Sequence, residues 1–305
     1  MPTRRIAVID LGSNTFHLLI VDLEQDGQWI SLLKDRRYVK LASGGLDVIN
    51  EESLQRGIAV MKEFAVQIKS WKVDATYAVG TAAMREAANG MEVARILEEQ
   101  SGIPIEIIDG QQEADYILKG IQSALPSLPG PGLIMDIGGG SVEFILFQGH
   151  EVLFVHSYKI GVALLYERFH KHDPILPVEI NALTSFLETE LAELINKLKD
   201  LKEYYLIGAS GSFEVIQDSL PKLQTGDHWN ELDLQDLDAY MSEVIPMDLV
   251  ERKLRKEIPA ERLDYIVVAY LLIRYIIRAS PPSRLYYCDY ALKEGVIAAK
   301  AGLFQ

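Results

Sequence analysis

"LIMDIGGGSVEFILF", residues 133–147, ends an apolar run on an acidic residue, follows it with three glycines and a serine, and then resumes the apolar run. The same order stands near the start of the chain in "IAVIDLGSNTFHLLIVD", residues 6–22. Each reads as a strand, a tight acidic turn and a second strand. One such turn is an ordinary hairpin; two predict a duplicated unit. Gly138, Gly139 and Gly140 would weaken a strand interior unless another backbone or a ligand must come close. Neither turn is a dinucleotide fingerprint, which opens a helix, and neither carries the lysine of a Walker A loop.

Working outward, "IAVI", "FHLLIVDL", "WISLLKDR" and "YVKL" predict a meander across residues 5–42. Leu54, Ile58, Met61, Ala65 and Ile68 then repeat at helical spacing behind Asn50, a residue suited to capping. "VDATYAVGTAAMREAANG" predicts a strand, a turn and a helix, and "GQQEADYILKGIQSAL" a further helix. "PSLPGPG" at 126–132 marks a boundary, after which the acidic turn returns. A long helix is expected over 178–199, a strand and turn in "EYYLIGASGSFEVIQ", a polar connection over 222–236, and a last strand ending near Cys288 or Asp289 before a final helix. The repeat implies two related α/β domains: 1–125, completed by the helix 292–305, and 126–291. A cleft between them is expected where the turns leave the carboxyl ends of the strands.

With 305 residues, 49% of them apolar, the chain can bury two cores. A formal charge of −14 argues against a nucleic-acid partner, which needs concentrated Lys and Arg. The single cysteine, Cys288, fits a reducing compartment, and cytoplasmic is the default expectation. The most apolar stretch, 262–280, has nine uncharged residues between Asp264 and Arg274, too few to span a membrane. It predicts a buried helix.

The turns direct attention to phosphate. Gly12, Ser13 and Asn14, like Gly138 to Gly140 and Ser141, can present backbone amides to an oxyanion. Asp10, Asp136 and Glu143 are oxygen donors suited to a divalent cation, Mg²⁺ first among them. Thr81 stands at a strand exit, and Arg85 four residues later could clamp a terminal phosphate. Gly208, Ser210, Gly211 and Ser212 form a further glycine and hydroxyl turn. Glu113, in a first helical turn, could orient or deprotonate a water near bound phosphate. The bland readings are a capped helix for Thr81 and Arg85, and a dipole-favoured acid for Glu113. No zinc spacing and no nucleophile elbow occurs.

The ordered pieces "IDLGSNTFHLLI", "GTAAMREA", "GQQEA", "DIGGGSVE", "GASGSF" and "CDYALKEG" resemble the exopolyphosphatase and guanosine pentaphosphate phosphohydrolase family. They span nearly the whole chain. The resemblance implies two actin-like (ribonuclease H-like) domains and hydrolysis of a terminal phosphoanhydride in polyphosphate or a phosphorylated guanosine nucleotide, with Mg²⁺ or another divalent cation. It implies that Glu113 is the catalytic glutamate, Arg85 the phosphate clamp, Asp136 and Glu143 the acids that place metal and water, and Gly138 to Ser141 the phosphate cradle. Two departures stand out. Gln112 replaces the first of two adjacent glutamates, and Lys293 stands where arginine is common. The alternatives are an ATP-dependent small-molecule kinase of the same superfold and a polyphosphate or nucleotide sensor without turnover. A homodimer is the expected assembly, no membrane partner is expected, and basic residues within 159–172 or 252–256 could line a polyanion channel.

Overall fold

Both acidic turns join antiparallel strands, and each strand pair seeds one sheet. The computed structural model describes residues 4–302 apart from Asp26, Gly44 and His150, and leaves the side chain of Ser210 undescribed. In chain order, β1 (Arg4–Leu11), β2 (Thr15–Leu23) and β3 (Trp29–Tyr38) precede α1 (Glu51–Ser70) and β4 (Ala75–Gly80). Then come α2 (Ala82–Glu86), α3 (Gly90–Ser101), β5 (Ile105–Ile107) and α4 (Gly110–Ala124). The second half runs β6 (Pro131–Ile137), β7 (Val142–Gln148), β8 (Glu151–Tyr158), α5 (Val162–Phe169), α6 (Pro177–Glu190), α7 (Ala192–Lys199), β9 (Tyr205–Ala209) and α8 (Ser210–Ser219). It closes with β10 (Lys222–Thr225), β11 (Trp229–Leu232), α9 (Leu234–Val244), α10 (Leu249–Lys253), α11 (Ile266–Ala279), β12 (Arg284–Cys288) and α12 (Leu292–Lys300).

One sheet has the order β3-β2-β1-β4-β5, and the other β10-β11-β12-β9-β6-β7-β8. Each contains an antiparallel hairpin whose first strand pairs in parallel with a strand arriving from a helical crossover, β1 with β4 and β6 with β9. Residues Ile6 to Ile9 and Leu133 to Met135 are fully buried. Strands in the middle of a sheet covered on both faces read as continuous apolar runs, which is why both hairpins announce themselves in sequence. At the sheet edge, β3 has no fully buried residue and carries Lys34, Arg36 and Arg37, charges that discourage edge pairing.

The chain divides into two compact units. One takes in the described residues of Met1–Ser123, Gly138–Gly140 and Tyr290–Gln305, and the other those of Ala124–Ile137 and Ser141–Asp289. In the first unit, the Asn50 side chain accepts from the Ser53 amide at 2.8 Å, so α1 starts where its cap is. Leu54, Met61 and Phe64 turn its buried face to the core. Helices α4 and α12 cross at glycines: a Cβ on Gly295 would lie 1.6 Å from the Tyr116 carbonyl oxygen, and one on Gly120 2.1 Å from that of Ala291.

Four expectations change. "YVKL" is not a fourth strand, because Val39 and Lys40 donate their amides to the Asn14 carbonyl at 3.0 and 2.8 Å, drawing the chain across the turn. The helix expected over 178–199 is two, α6 and α7, parted at Leu191. The polar stretch 222–236 holds the β10–β11 hairpin, which extends the second sheet beyond β12. Arg252 is no channel residue, being 2% exposed and bound to the Leu263 carbonyl and to Asp173 Oδ1, each at 2.9 Å. The apolar stretch does form a buried helix, α11, and no helix among the described residues is long and apolar enough to cross a membrane. Residues 303–305 of the expected last helix lie outside the described residues.

Candidate functional site

In the first unit, Gly12 donates its amide to the Thr15 carbonyl at 3.0 Å and closes the β1–β2 turn. The carbonyls of Ser13 and Asn14 accept amides from residues 39–42, which fixes the loop from outside. Gly139 and Gly140 pack on this turn. A Cβ on Gly139 would lie 2.6 Å from Asn14 Nδ2, and one on Gly140 2.8 Å from Ser13 Oγ and 3.0 Å from Leu46 Cδ2. None of Gly12, Gly138, Gly139 and Gly140 has positive φ. Gly139 and Gly140 are therefore explained by close approach rather than by unusual dihedrals.

Parallel pairing of β4 with both β1 and β5 brings α2 and α4 to the carboxyl ends of adjacent strands. Thr81 donates its amide to the Leu11 carbonyl at 3.3 Å, and its side chain makes no capping bond to α2. The hydroxyl turns instead toward that same carbonyl, at 3.4 Å. Arg85 Nη1 bonds Glu113 Oε2 at 2.7 Å and the Ile108 carbonyl at 3.1 Å. The two side chains are only 17% and 8% exposed. A pair this far from water is strongly coupled, and Arg85 Nε also lies 3.4 Å from Glu86 Oε1. The solvated arginine and the merely dipole-favoured glutamate of the bland readings are both displaced by this contact. Gln112 faces elsewhere: it is half-buried, and its side chain reaches Glu106 Oε1 at 3.1 Å and Tyr116 Oη at 3.4 Å. Lys293 Nζ lies 3.1 Å from Oε1 of Glu294, a fully buried carboxylate that also caps the Ala291 amide at 2.9 Å.

In the second unit, Asp136 stands directly opposite Glu143 across β6 and β7. Both are buried, at 7% and 3% exposure. Glu143 Oε1 accepts the hydroxyls of Ser141 and Ser157 at 2.6 and 2.7 Å. Among the described residues no group of three or more His, Cys, Asp and Glu is arranged to hold a metal, and within the second unit the two acids Asp136 and Glu143 stand together. Two buried carboxylates facing each other fit a hard divalent cation, because Mg²⁺ commonly takes one or two protein carboxylates and fills its remaining positions with water and phosphate oxygens.

The β9–α8 turn adds a residue. Gly208 packs closely inside β9: a Cβ there would sit 2.0 Å from the Phe213 ring. Ser212 is buried at the start of α8, while the Ser210 side chain lies outside those described. Gly211 lies under Arg262, whose Nη2 is 1.5 Å from where its Cβ would be. Arg262 thus brings a guanidinium to the N-terminal turn of α8. Sequence reasoning missed it. The available signal was an arginine close before the apolar helix α11, where the helix dipole disfavours a cation.

The profile of the Ppx/GppA phosphatase family matches residues 20–304. A guanosine-5'-triphosphate,3'-diphosphate pyrophosphatase of Vibrio cholerae is 32% identical over 264 residues, 80% of this chain. The chain spans about half the length of that relative, 52%. The crystal structure of an exopolyphosphatase from Cytophaga hutchinsonii superposes with a TM-score of 0.91 at 31% identity, over 99% of both chains. The Aquifex aeolicus member of the Ppx/GppA protein family gives a TM-score of 0.80 at 25% identity, over 98% of both chains. The mixed α/β architecture with two sheets is that of the actin-like, two-domain members of the family. Its motifs, its profile match and its structural neighbours agree: this chain belongs to the Ppx/GppA phosphatase family.

Proposed function

We propose that this chain hydrolyses the terminal phosphoanhydride of inorganic polyphosphate, and that guanosine 5′-triphosphate,3′-diphosphate is a second substrate. The observation that carries this reading is the buried Arg85–Glu113 contact of 2.7 Å, beside a turn on which Gly139 and Gly140 pack. Without ligand, Arg85 neutralises Glu113. The oxygens of a terminal phosphate compete for the guanidinium and free Glu113 Oε2 to accept a proton from water. That water attacks phosphorus, the bridging P–O bond breaks, the leaving oxygen departs with the shortened chain, and orthophosphate is released. Backbone amides of the glycine turns stabilise charge on the phosphate oxygens. Asp136 and Glu143 would hold a divalent cation, with Mg²⁺ the expected ion, which when bound offsets the negative charge of the phosphate chain. The names of the relatives, a guanosine-5'-triphosphate,3'-diphosphate pyrophosphatase and an exopolyphosphatase, support the two substrate classes.

The test is phosphate release from long polyphosphate and from the guanosine nucleotide with Mg²⁺, for wild type and Glu113→Gln. Loss of the base is expected to lower kcat by about 10²–10⁴-fold. The proposal fails if wild type releases no phosphate from either substrate, or if Glu113→Gln turns over like wild type.

A further inference from the structure

Helices α6, α7 and α11 of the second unit line a cavity of about 570 Å³, to which none of the candidate phosphate residues contributes. Its volume lies in the range of small-molecule sites. The floor is apolar, with Ile195 and Leu271 buried, and the polar lining includes Lys199, Arg274 and Arg278. The guanidiniums of Arg274 and Arg278 share one oxygen, Asp238 Oδ1, at 3.7 and 3.5 Å. The Arg274 side chain is only 17% exposed, and its Nε is buried without a hydrogen-bond partner. Burial, and next the positive charge of Arg278, hold the Arg274 pKa below the usual arginine value. Lys199 has no ion pair among the described residues. Glu188, the acid in the lining, faces Tyr275 and pushes its hydroxyl pKa up, after the larger effect of burial.

Three cations thus gather over an apolar floor in a chain whose formal charge is −14. Two guanidiniums that repel each other and share a single carboxylate oxygen leave room for a second anion, which would pair with both through charge-assisted hydrogen bonds. We propose that this cavity binds a small amphipathic anion, a carboxylate or phosphate monoester with its headgroup on Arg274 and Arg278 and its apolar body against Ile195 and Leu271. The inference rests on this cavity alone and is independent of phosphoanhydride hydrolysis.

Isothermal titration calorimetry on the full chain tests it with four probes: octanoate, octyl phosphate, octanol and inorganic phosphate. One-to-one binding of octanoate or octyl phosphate is expected, with octanol and inorganic phosphate each at least about tenfold weaker because each supplies half of the contacts. The stronger of the two anionic probes distinguishes a carboxylate headgroup from a phosphate one. The double variant Lys199→Ala/Arg278→Ala removes two exposed charges and should weaken binding about tenfold. Ala192→Trp, at an exposed position in the lining, should weaken it by filling space, and Glu113→Gln should bind as wild type does. Circular dichroism melts confirm that each variant is folded. The proposal is overturned if neither amphipathic anion binds saturably, if the folded double variant binds as tightly as wild type, if inorganic phosphate binds as tightly as octyl phosphate, or if Glu113→Gln abolishes binding.

Discussion

Asp10 faces His17 across β1 and β2, whereas Asp136 faces Glu143 across β6 and β7. The backbones match: each acid is the last but one residue of the first strand of a hairpin, and each first strand pairs in parallel with a strand that enters from a helix. The chemistry opposite the acid does not match. His17 sets an imidazole rather than a carboxylate opposite Asp10, and its Nε2 shares a 2.9 Å hydrogen bond with Thr15 Oγ1. Asp136 meets a second buried carboxylate, and like charges directly opposite in a sheet are unfavourable. Two serine hydroxyls on Glu143 ease its burial without supplying positive charge. The duplicated hairpin is thus a common frame, and the half proposed to hold a cation is the one with two carboxylates.

The largest effect expected from this contrast is on metal dependence. Asp136→Asn should raise the Mg²⁺ concentration needed for half-maximal phosphate release by about 100-fold or more, as befits loss of a ligand rather than of a supporting group. Asp10→Asn should raise it by less than about tenfold. Mg²⁺ titrations of both variants, with calorimetry as a readout that needs no turnover, check the ranking. Equal shifts would break the comparison and make both hairpins metal-holding.

A second test separates two kinds of glycine. Gly139 abuts the Asn14 side chain, while Gly208 abuts the Phe213 ring within one core. Gly208→Ala should cost about 2–3 kcal/mol of stability by overpacking, with the KM of the folded fraction unchanged. Gly139→Ala, pressing on a polar side chain at the turn, should cost about 1 kcal/mol and raise KM for polyphosphate. Chemical denaturation beside steady-state kinetics resolves the two. A raised KM in Gly208→Ala would put that glycine in the phosphate cradle as well.

The sequence made the hairpins legible because their apolar runs are interrupted by the same acid, glycine and serine order, and strand packing on two faces needs such runs. It named Arg85 and Glu113 without showing that they meet. Twenty-eight positions part them, and only the order β1-β4-β5 brings their helices together. The packing of Gly208 on Phe213 was not legible because a packing glycine and a cradle glycine look alike in a string. Arg262 was invisible for a related reason, its partner Gly211 lying across α9 and α10 in sequence. The β10–β11 hairpin escaped because its four-residue strands are mostly polar, and their pairing comes from the exposed edge of β12 rather than from periodicity.

Gln112→Glu gives the smallest expected effect and sharpens the first unit's side of the comparison. The substitution restores two adjacent glutamates, so a pattern-based reading predicts a gain in turnover. The local structure predicts otherwise. Position 112 is half-buried and hydrogen-bonds Glu106 at 3.1 Å, while Glu113, one residue on, is buried against Arg85. Successive helical residues point about 100° apart, so a carboxylate at 112 projects toward Glu106 rather than toward the buried pair. Repulsion from Glu106 is partly offset by the favourable position of an acid in the first turn of α4. Stability should change by less than about 0.5 kcal/mol, and kcat should stay within about twofold of wild type. Thermal melts and phosphate-release kinetics check both numbers. A tenfold rise in kcat would mean that the first glutamate position acts on the reacting phosphate, and that the chemistry of the first unit extends beyond the Arg85–Glu113 contact.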